Sequence, residues 1–323
     1  MVAKVIPFPI ALAPVSMTER LHGNTNVFFS ELNKIPTTTE NPGARWGFDL
    51  DYSEIDGYSL RGQNVGAAIS RLRGQAVRMH CHSLARPNTT GSLDTANKVG
   101  NGDFSLGGSG WSKSEGAGSK VGLEGGRARL DKGTGEASVS RTISVTSGET
   151  YSMGVSVYEG SGDSVTMTVG SSNDTFTGGG RHASTFTASG SSITVTVANN
   201  TNNTVLSVGD IIVARAATVS GAQTGSTILI TGLGSSSDNA INPMDWISIN
   251  GELKRVVEPC MSNSGSGRVT FEPPLRASAP NGSAVVLHSP FAKFILNGES
   301  SPMSTSAPYF TSYTLSLLED TSL

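Results

Sequence analysis

Apolar and polar residues alternate with a period of two through most of this chain, the pattern of a strand with one buried face. In Arg45-Trp-Gly-Phe-Asp-Leu-Asp-Tyr52, large apolar residues alternate with small or polar ones. Segments 137–145, 151–158, 164–169 and 192–197 alternate apolar residues with serine and threonine, and Gly, Asp and Asn cluster between them. Strands at that spacing predict two packed antiparallel sheets. Further strands are expected at 76–84, 226–231, 268–271, 284–287 and 311–318. Segment 246–257 reads as a hairpin turning at Asn250-Gly251, a pair that suits a tight two-residue turn. Pro273 and Pro274 are expected where a strand leaves its sheet, because proline cannot donate to the ladder. The period changes between Tyr58 and Arg73. There Val65, Ile69 and Leu72 fall at helical spacing, and Gly74 stands where a helix stops.

The texture also changes along the chain. Residues 1–92 have ordinary globular composition, 93–216 are rich in Gly, Ser and Thr, and the first texture returns over 217–323. The expected fold is mainly β. A split β-barrel or sandwich platform with one helix is built from 1–92 and 217–323, and an antiparallel β-sandwich, 93–216, is inserted between them. A module with its own core and adjacent termini is easily accommodated in that way. The apolar, proline-interrupted N-terminal segment (Val5, Ile6, Phe8, Ile10) reads as an extended arm or an edge strand; it and the segment after Pro308 either reach neighbouring chains or pack on their own domain.

Composition narrows the function. Hydrophobic residues make up 36% and charged residues 15% of 323, yet β-branched residues recur and the net charge is only -3, which argues against disorder. Without a basic stripe, nucleic-acid binding has no electrostatic basis. No run approaches the ~20 apolar residues of a membrane helix, so no membrane insertion is expected. Pro7, Pro9 and Pro14 interrupt the apolar start and no clean cleavage site follows, so synthesis in a cytoplasm without a secretion signal is expected. The two cysteines, Cys81 and Cys260, are read as unpaired core residues.

Motifs of catalysis and cofactor binding are weak. Gly107-Gly-Ser-Gly-Trp-Ser-Lys-Ser114 lacks the glycine before lysine and the strand and helix of a phosphate loop. His80 and His82 share a strand face, but two ligands without a third make a poor zinc site. Asp49 and Asp51 also share a face, with nothing to build a glycosidase cleft around them. No Gly-x-Ser-x-Gly elbow occurs. No enzymatic activity, cofactor or metal is expected.

Two resemblances carry more. Asn101-Gly-Asp-Phe-Ser105 followed by Trp111, then 139–151 and Ser207-Val-Gly-Asp-Ile-Ile-Val213, resemble the carbohydrate-binding jelly rolls appended to glycan-acting enzymes and phage proteins. A glycan site would pair an exposed aromatic ring with polar side chains. Trp111 is the first candidate, with Tyr158, Asp163, Asn173, Asp174, Arg181 and His182 as loop neighbours; the same motif leaves Trp111 equally able to pack in the core. Phe104, Tyr151, Phe176 and Phe186 are expected to fill that core. The flanks, with Ser70-Arg-Leu-Arg-Gly-Gln75, 245–256 and Glu272-Pro-Pro-Leu-Arg276, look like the distal-tail or tail-tip (baseplate) proteins of long-tailed bacteriophages. That resemblance implies a virion subunit forming a homo-oligomeric ring, commonly a hexamer, between the tail tube protein and the central tail hub protein. A peripheral sandwich would then be free to contact a host cell-surface glycan. The alternatives are a host-binding lectin whose sandwich is the working domain, and an accessory part of a polysaccharide-acting enzyme.

Overall fold

The computed structural model describes residues 4–8, 13–29, 36–40, 43–56, 59–124, 126–158, 164–234, 237–298, 303–306 and 310–321. The protein is mainly β, with one helix among the described residues.

One sheet draws on both ends of the chain. Its order is Lys4–Pro7, Val77–Cys81, Ala292–Leu296, Phe310–Glu319, Arg45–Asp56 and Ser16–His22, with Met303–Ser306 added beside Phe310–Glu319. Val77–Cys81 and Ala292–Leu296 meet antiparallel, Cys81 opposite Ala292, although some two hundred residues separate them in sequence. The alternation in Arg45–Asp56 turns Trp46, Phe48, Leu50 and Tyr52 into the core, where they meet Val65 and Leu72 of the helix Leu60–Leu72. The helix stops as expected: Arg73 (φ 48°) and Gly74 (φ 63°) both take the left-handed conformation of a C-cap. The N-terminal segment takes the edge-strand form, packed on its own domain. Lys4–Pro7 is a parallel edge strand, and Ile6 and Phe8 are buried in its own core, because those side chains fill the sheet beside Met79. Ile10 lies outside the described residues.

Residues 112–215 form two packed five-stranded sheets. One has the order Ser172–Thr177, Ser164–Val169, Ser192–Asn199, Ala137–Ser144, Ser112–Glu115; the other Gly180–Thr187, Thr150–Val157, Thr204–Arg215, Arg127–Lys132, Lys120–Glu124. From Ala137 onward the chain crosses between sheets at nearly every turn, as in a jelly roll. Phe104, Tyr151 and Phe186 lie in its core and Phe176 packs against it.

The barrel is a unit separate from the split sheet and is built from C-terminal strands alone. Strands Ala217–Val219, Gln223–Thr231, Ser266–Ala279, Glu252–Val256, Trp246–Ile249 and Ala284–Val286 close into a barrel with its own apolar core. Its hairpin turns at Asn250 (φ 52°) and Gly251 (φ 79°), both left-handed, as a primed turn requires. Trp246 and Leu253 project out of the barrel into the sheet's core and join the two. The prolines do not end a strand: Ser266–Ala279 runs through Pro273 and Pro274. They fall where its pairing with Gln223–Thr231 shifts register, between the partners of Gly225 and Thr227, so no ladder bond is lost.

Cys81 lies in the sheet core and Cys260 in the barrel core, and both are free thiols. Burial pushes them up to about 12 and about 11 respectively. The native protein is therefore expected to be inert to a disulfide thiol reagent near pH 8, releasing two equivalents per chain only on denaturation. Absorbance of the released thiolate measures this.

Candidate functional site

The sequence motif around Trp111 builds a loop, not a sugar platform. Asn101 (φ 53°) donates from its amide to the carbonyls of Gly107 (3.0 Å) and Ser109 (3.1 Å), and its side-chain oxygen accepts the Leu106 N–H. The indole N–H of Trp111 donates to the Asn101 carbonyl at 2.9 Å, and its ring tilts over Phe104 with centroids 5.1 Å apart. Trp111 is thus buried, and the ring serves the core. Gly102 is required there, since a Cβ would stand 2.1 Å from the Ile211 carbonyl oxygen.

The other expected glycan residues do not converge. Asn173 is exposed on the edge strand Ser172–Thr177, and its neighbour Asp174 accepts a hydrogen bond from Ser184 of the opposite sheet. Asp163 lies outside the described residues. Tyr158 and Arg181 do come together, but where the sandwich meets the split sheet. Arg181 is buried there and is not open to a sugar. Its backbone N–H donates to His80 Nδ1 at 2.7 Å, and its guanidinium faces the Phe291 ring at 5.4 Å. Tyr158 donates to Asp210 at 2.5 Å and carries the Arg127 guanidinium over its ring at 3.9 Å.

This junction is rich in titratable groups. From the sheet side come His80, tilted against Phe291 with ring centroids 5.0 Å apart, and His82, edge-on to Phe8. His288 holds the Thr95 carbonyl at 2.9 Å. Burial, then the neighbouring His182, Lys293 and Arg181, pushes His80 down to about 3. Burial, then Arg181 and His288, does the same to His82, and burial with Arg181 takes His288 to about 4. Burial lowers Arg181 as well, opposed by Asp210 and Tyr158; it raises Asp210 and Tyr158. The His-x-His pair was visible in sequence, but its partner Arg181 lies a hundred residues away and no local pattern connects them.

On the barrel side, a cleft of about 410 Å³ separates sandwich from barrel. Two ion pairs line it, Asp94–Lys98 at 2.5 Å and Glu149–Arg215 at 2.7 Å, with the hydroxyls of Ser92, Thr146 and Ser237. Tyr151 borders the cleft with its ring buried.

The split sheet carries projecting apolar arms. Among the described residues Ser16–His22 is an open edge strand, and the chain continues from it into Thr25–Phe29, which pairs antiparallel with Pro36–Glu40 in a sheet of those two strands alone. Five residues of extended chain reach about 17 Å. Val27, Phe28 and Phe29 are exposed on it, Phe29 by 68%. Met303 and Phe310, on the Met303–Ser306 hairpin, are exposed too. Of the eleven large apolar side chains exposed among the described residues, seven lie on these elements or just before them: Val15, Leu21, Val27, Phe28, Phe29, Met303 and Phe310.

Among the described residues, no three His, Cys, Asp or Glu side chains gather as a metal site. Asp49 is paired to Arg20 at 2.9 Å and accepts from Ser316 at 2.6 Å. Among the described residues no helix is long and apolar enough to cross a membrane.

No protein-family model matches the chain, and no curated protein sequence does. Among solved structures it is similar to a CBM4 carbohydrate-binding module, with 14% identity over 36% of this chain and 99% of that one, at a TM-score of 0.29. It is also similar to a CBM61 module solved in complex with β-1,4-galactotriose, with 15% identity over 38% of this chain and 99% of that one, again at 0.29.

Proposed function

We propose that this chain is a structural subunit of a phage tail tip. In this reading it forms a ring, of six copies, between the tail tube protein and the tail hub protein, and holds its sandwich at the periphery. The observation that carries it is the concentration of exposed Val27, Phe28 and Phe29 on a free hairpin beyond an open sheet edge. Exposed apolar residues clustered on a projecting strand mark a contact with another chain, and edge strands are natural sites of subunit pairing. A heterologous contact of this kind closes into a ring when its rotation closes.

Light scattering and negative-stain microscopy of the purified chain test this, with rings bearing peripheral knobs expected. Burying a phenylalanine contributes about 1.5–3 kcal/mol, so the Phe28→Ser/Phe29→Ser variant is expected to weaken each contact on the order of 100-fold. It should sediment as a monomer with an unchanged circular dichroism spectrum. Equal assembly of variant and wild type would remove the hairpin from the argument.

A second reading, a host-binding lectin with the sandwich as its working part, is favoured by the cleft, where carboxylates, cations and hydroxyls suited to sugar hydroxyls converge. Glycan-array binding by a chain that stays monomeric would select it.

A further inference from the structure

We propose that the junction between sandwich and split sheet is an acid-opened latch: protonation of His80, His82 and His288 releases the sandwich while both parts keep their folds.

The geometry assigns His80 a role that a protonated ring cannot fill. Its Nδ1 accepts the Arg181 N–H at 2.7 Å, so the neutral imidazole is the docking partner. An imidazolium has a proton on each nitrogen and accepts nothing. The approach is also close. Gly180 permits it: a Cβ there would stand 3.0 Å from that same Nδ1 and 3.0 Å from Val5.

Charge works in the same direction. From the sandwich, the strand Gly180–Thr187 brings Arg181 and His182 to the junction. From the sheet, His80 and His82 come from Val77–Cys81 and the residue after it, and Lys293 from Ala292–Leu296. His288 lies in the loop leading to that last strand. All of these are cations or become cations in acid. The acid facing Arg181 is Asp210, which already accepts from Tyr158, and Asp103 lies beyond it. Acid neutralises that counter-charge instead of strengthening it.

The sign follows from linkage. The three histidines are held below their ordinary value of 6.5 when docked. The undocked state therefore takes up more protons, and docking weakens as pH falls below about 6.5, the loss growing down to about 3. Opening need not unfold either part. The sandwich core is made of its own residues, and the sheet core, which takes Trp246 and Leu253 from the barrel, takes none from the sandwich.

Two exposed positions, Ala67 on the helix and Thr175 on the outer sandwich sheet, can carry labels as Ala67→Cys and Thr175→Cys, since the native thiols are buried. Doubly labelled full-length chain is mixed with excess unlabelled chain, so that only distances within one chain are read. Pulsed spin-label spectroscopy is expected to show one narrow distance at pH 7.5 and a longer, broad one by about pH 4–5, reversibly, with near-ultraviolet dichroism retained. A variant with non-titrating mimics, His80→Asn, His82→Gln and His288→Asn, is expected to open at least about one pH unit lower. Three results overturn the proposal: an unchanged distance down to about pH 4, opening only together with loss of the near-ultraviolet signal, or a variant docked at pH 7.5 that opens at the wild-type pH. If the variant fails to dock at neutral pH, the first two wild-type readouts still decide.

Discussion

Replacing Glu319 with alanine is expected to destabilise the protein by about 3–5 kcal/mol, a large part of the ~5–15 kcal/mol that holds a typical fold. Glu319 ends the strand Phe310–Glu319 and has no solvent exposure. One carboxylate oxygen accepts the Trp46 N–H at 3.2 Å; the other accepts the Leu253 N–H at 3.2 Å and the Arg276 guanidinium at 3.0 Å. A single side chain thereby ties the N-terminal part of the sheet, its last strand and the barrel. Alanine strands two buried N–H donors, and each unsatisfied donor costs about 1–3 kcal/mol. It also upsets a buried charge balance. Lys254 bonds Glu252 at 2.7 Å and Arg276 approaches the same acid at 3.5 Å, so two cations would be left with one acid. Burial already lowers Lys254 from its ordinary value, with Glu252 opposing that shift. Glu319→Gln keeps one of the two acceptor oxygens, turns an NH2 toward the other donors and loses the charge, and is expected to fall between. Denaturant titration with both dichroism and tryptophan fluorescence measures the loss. A change below about 1 kcal/mol for alanine would mean that the sheet and barrel are not held through this carboxylate.

The elements legible in the sequence are those whose two faces meet different surroundings. Arg45–Asp56, Ala137–Ser144 and Ser192–Asn199 each place one side on a core and one on solvent, so periodicity reports them. Ser16–His22 escaped because it is an edge strand whose Met17 and Leu21 are only partly covered, which erases the contrast. The hairpin Thr25–Phe29 with Pro36–Glu40 escaped because its apolar residues face outward, opposite to the burial that pattern reading assumes. A barrel is expected from the sequence, but not that the strands between Ala217 and Val286 close it by themselves. The pairing of Ala217–Val219 with Ala284–Val286 is a long-range fact carried by no local signal. The site shows the same division. The motif from Asn101 to Trp111 announced a defined loop, but the choice between platform and core depended on where the indole N–H finds its acceptor, and that is the Asn101 carbonyl. The sequence offers Tyr158 and Arg181 as polar groups for a sugar; the Tyr158 hydroxyl is spent inward on Asp210, and the Arg181 guanidinium is buried against the Phe291 ring while its backbone N–H goes to His80.

The inward use of those residues gives the second large effect. Asp210→Ala is expected to cost about 3–5 kcal/mol near pH 7.5, localised to the sandwich and its junction. Asp210 sits in the left-handed region (φ 47°), which aspartate and asparagine tolerate better than alanine does, so the substitution strains the backbone as well as removing the acid. Its carboxylate accepts from the Tyr158 hydroxyl and is the counter-charge facing the buried Arg181. Without it, a guanidinium remains at the junction among His80, His82 and His288, and opening the junction becomes the cheapest way to hydrate that charge. Thermal unfolding is therefore expected to split, the sandwich melting before the barrel, and the acid-driven separation to move to higher pH. Asp210→Asn preserves the backbone preference and an acceptor for Tyr158 but not the charge. It is expected to recover the early melting transition in part and to leave the pH shift in place. A single unsplit transition for the alanine variant, at the wild-type temperature, would show that Arg181 finds its compensation elsewhere, and would remove Asp210 from the account of how the sandwich is held.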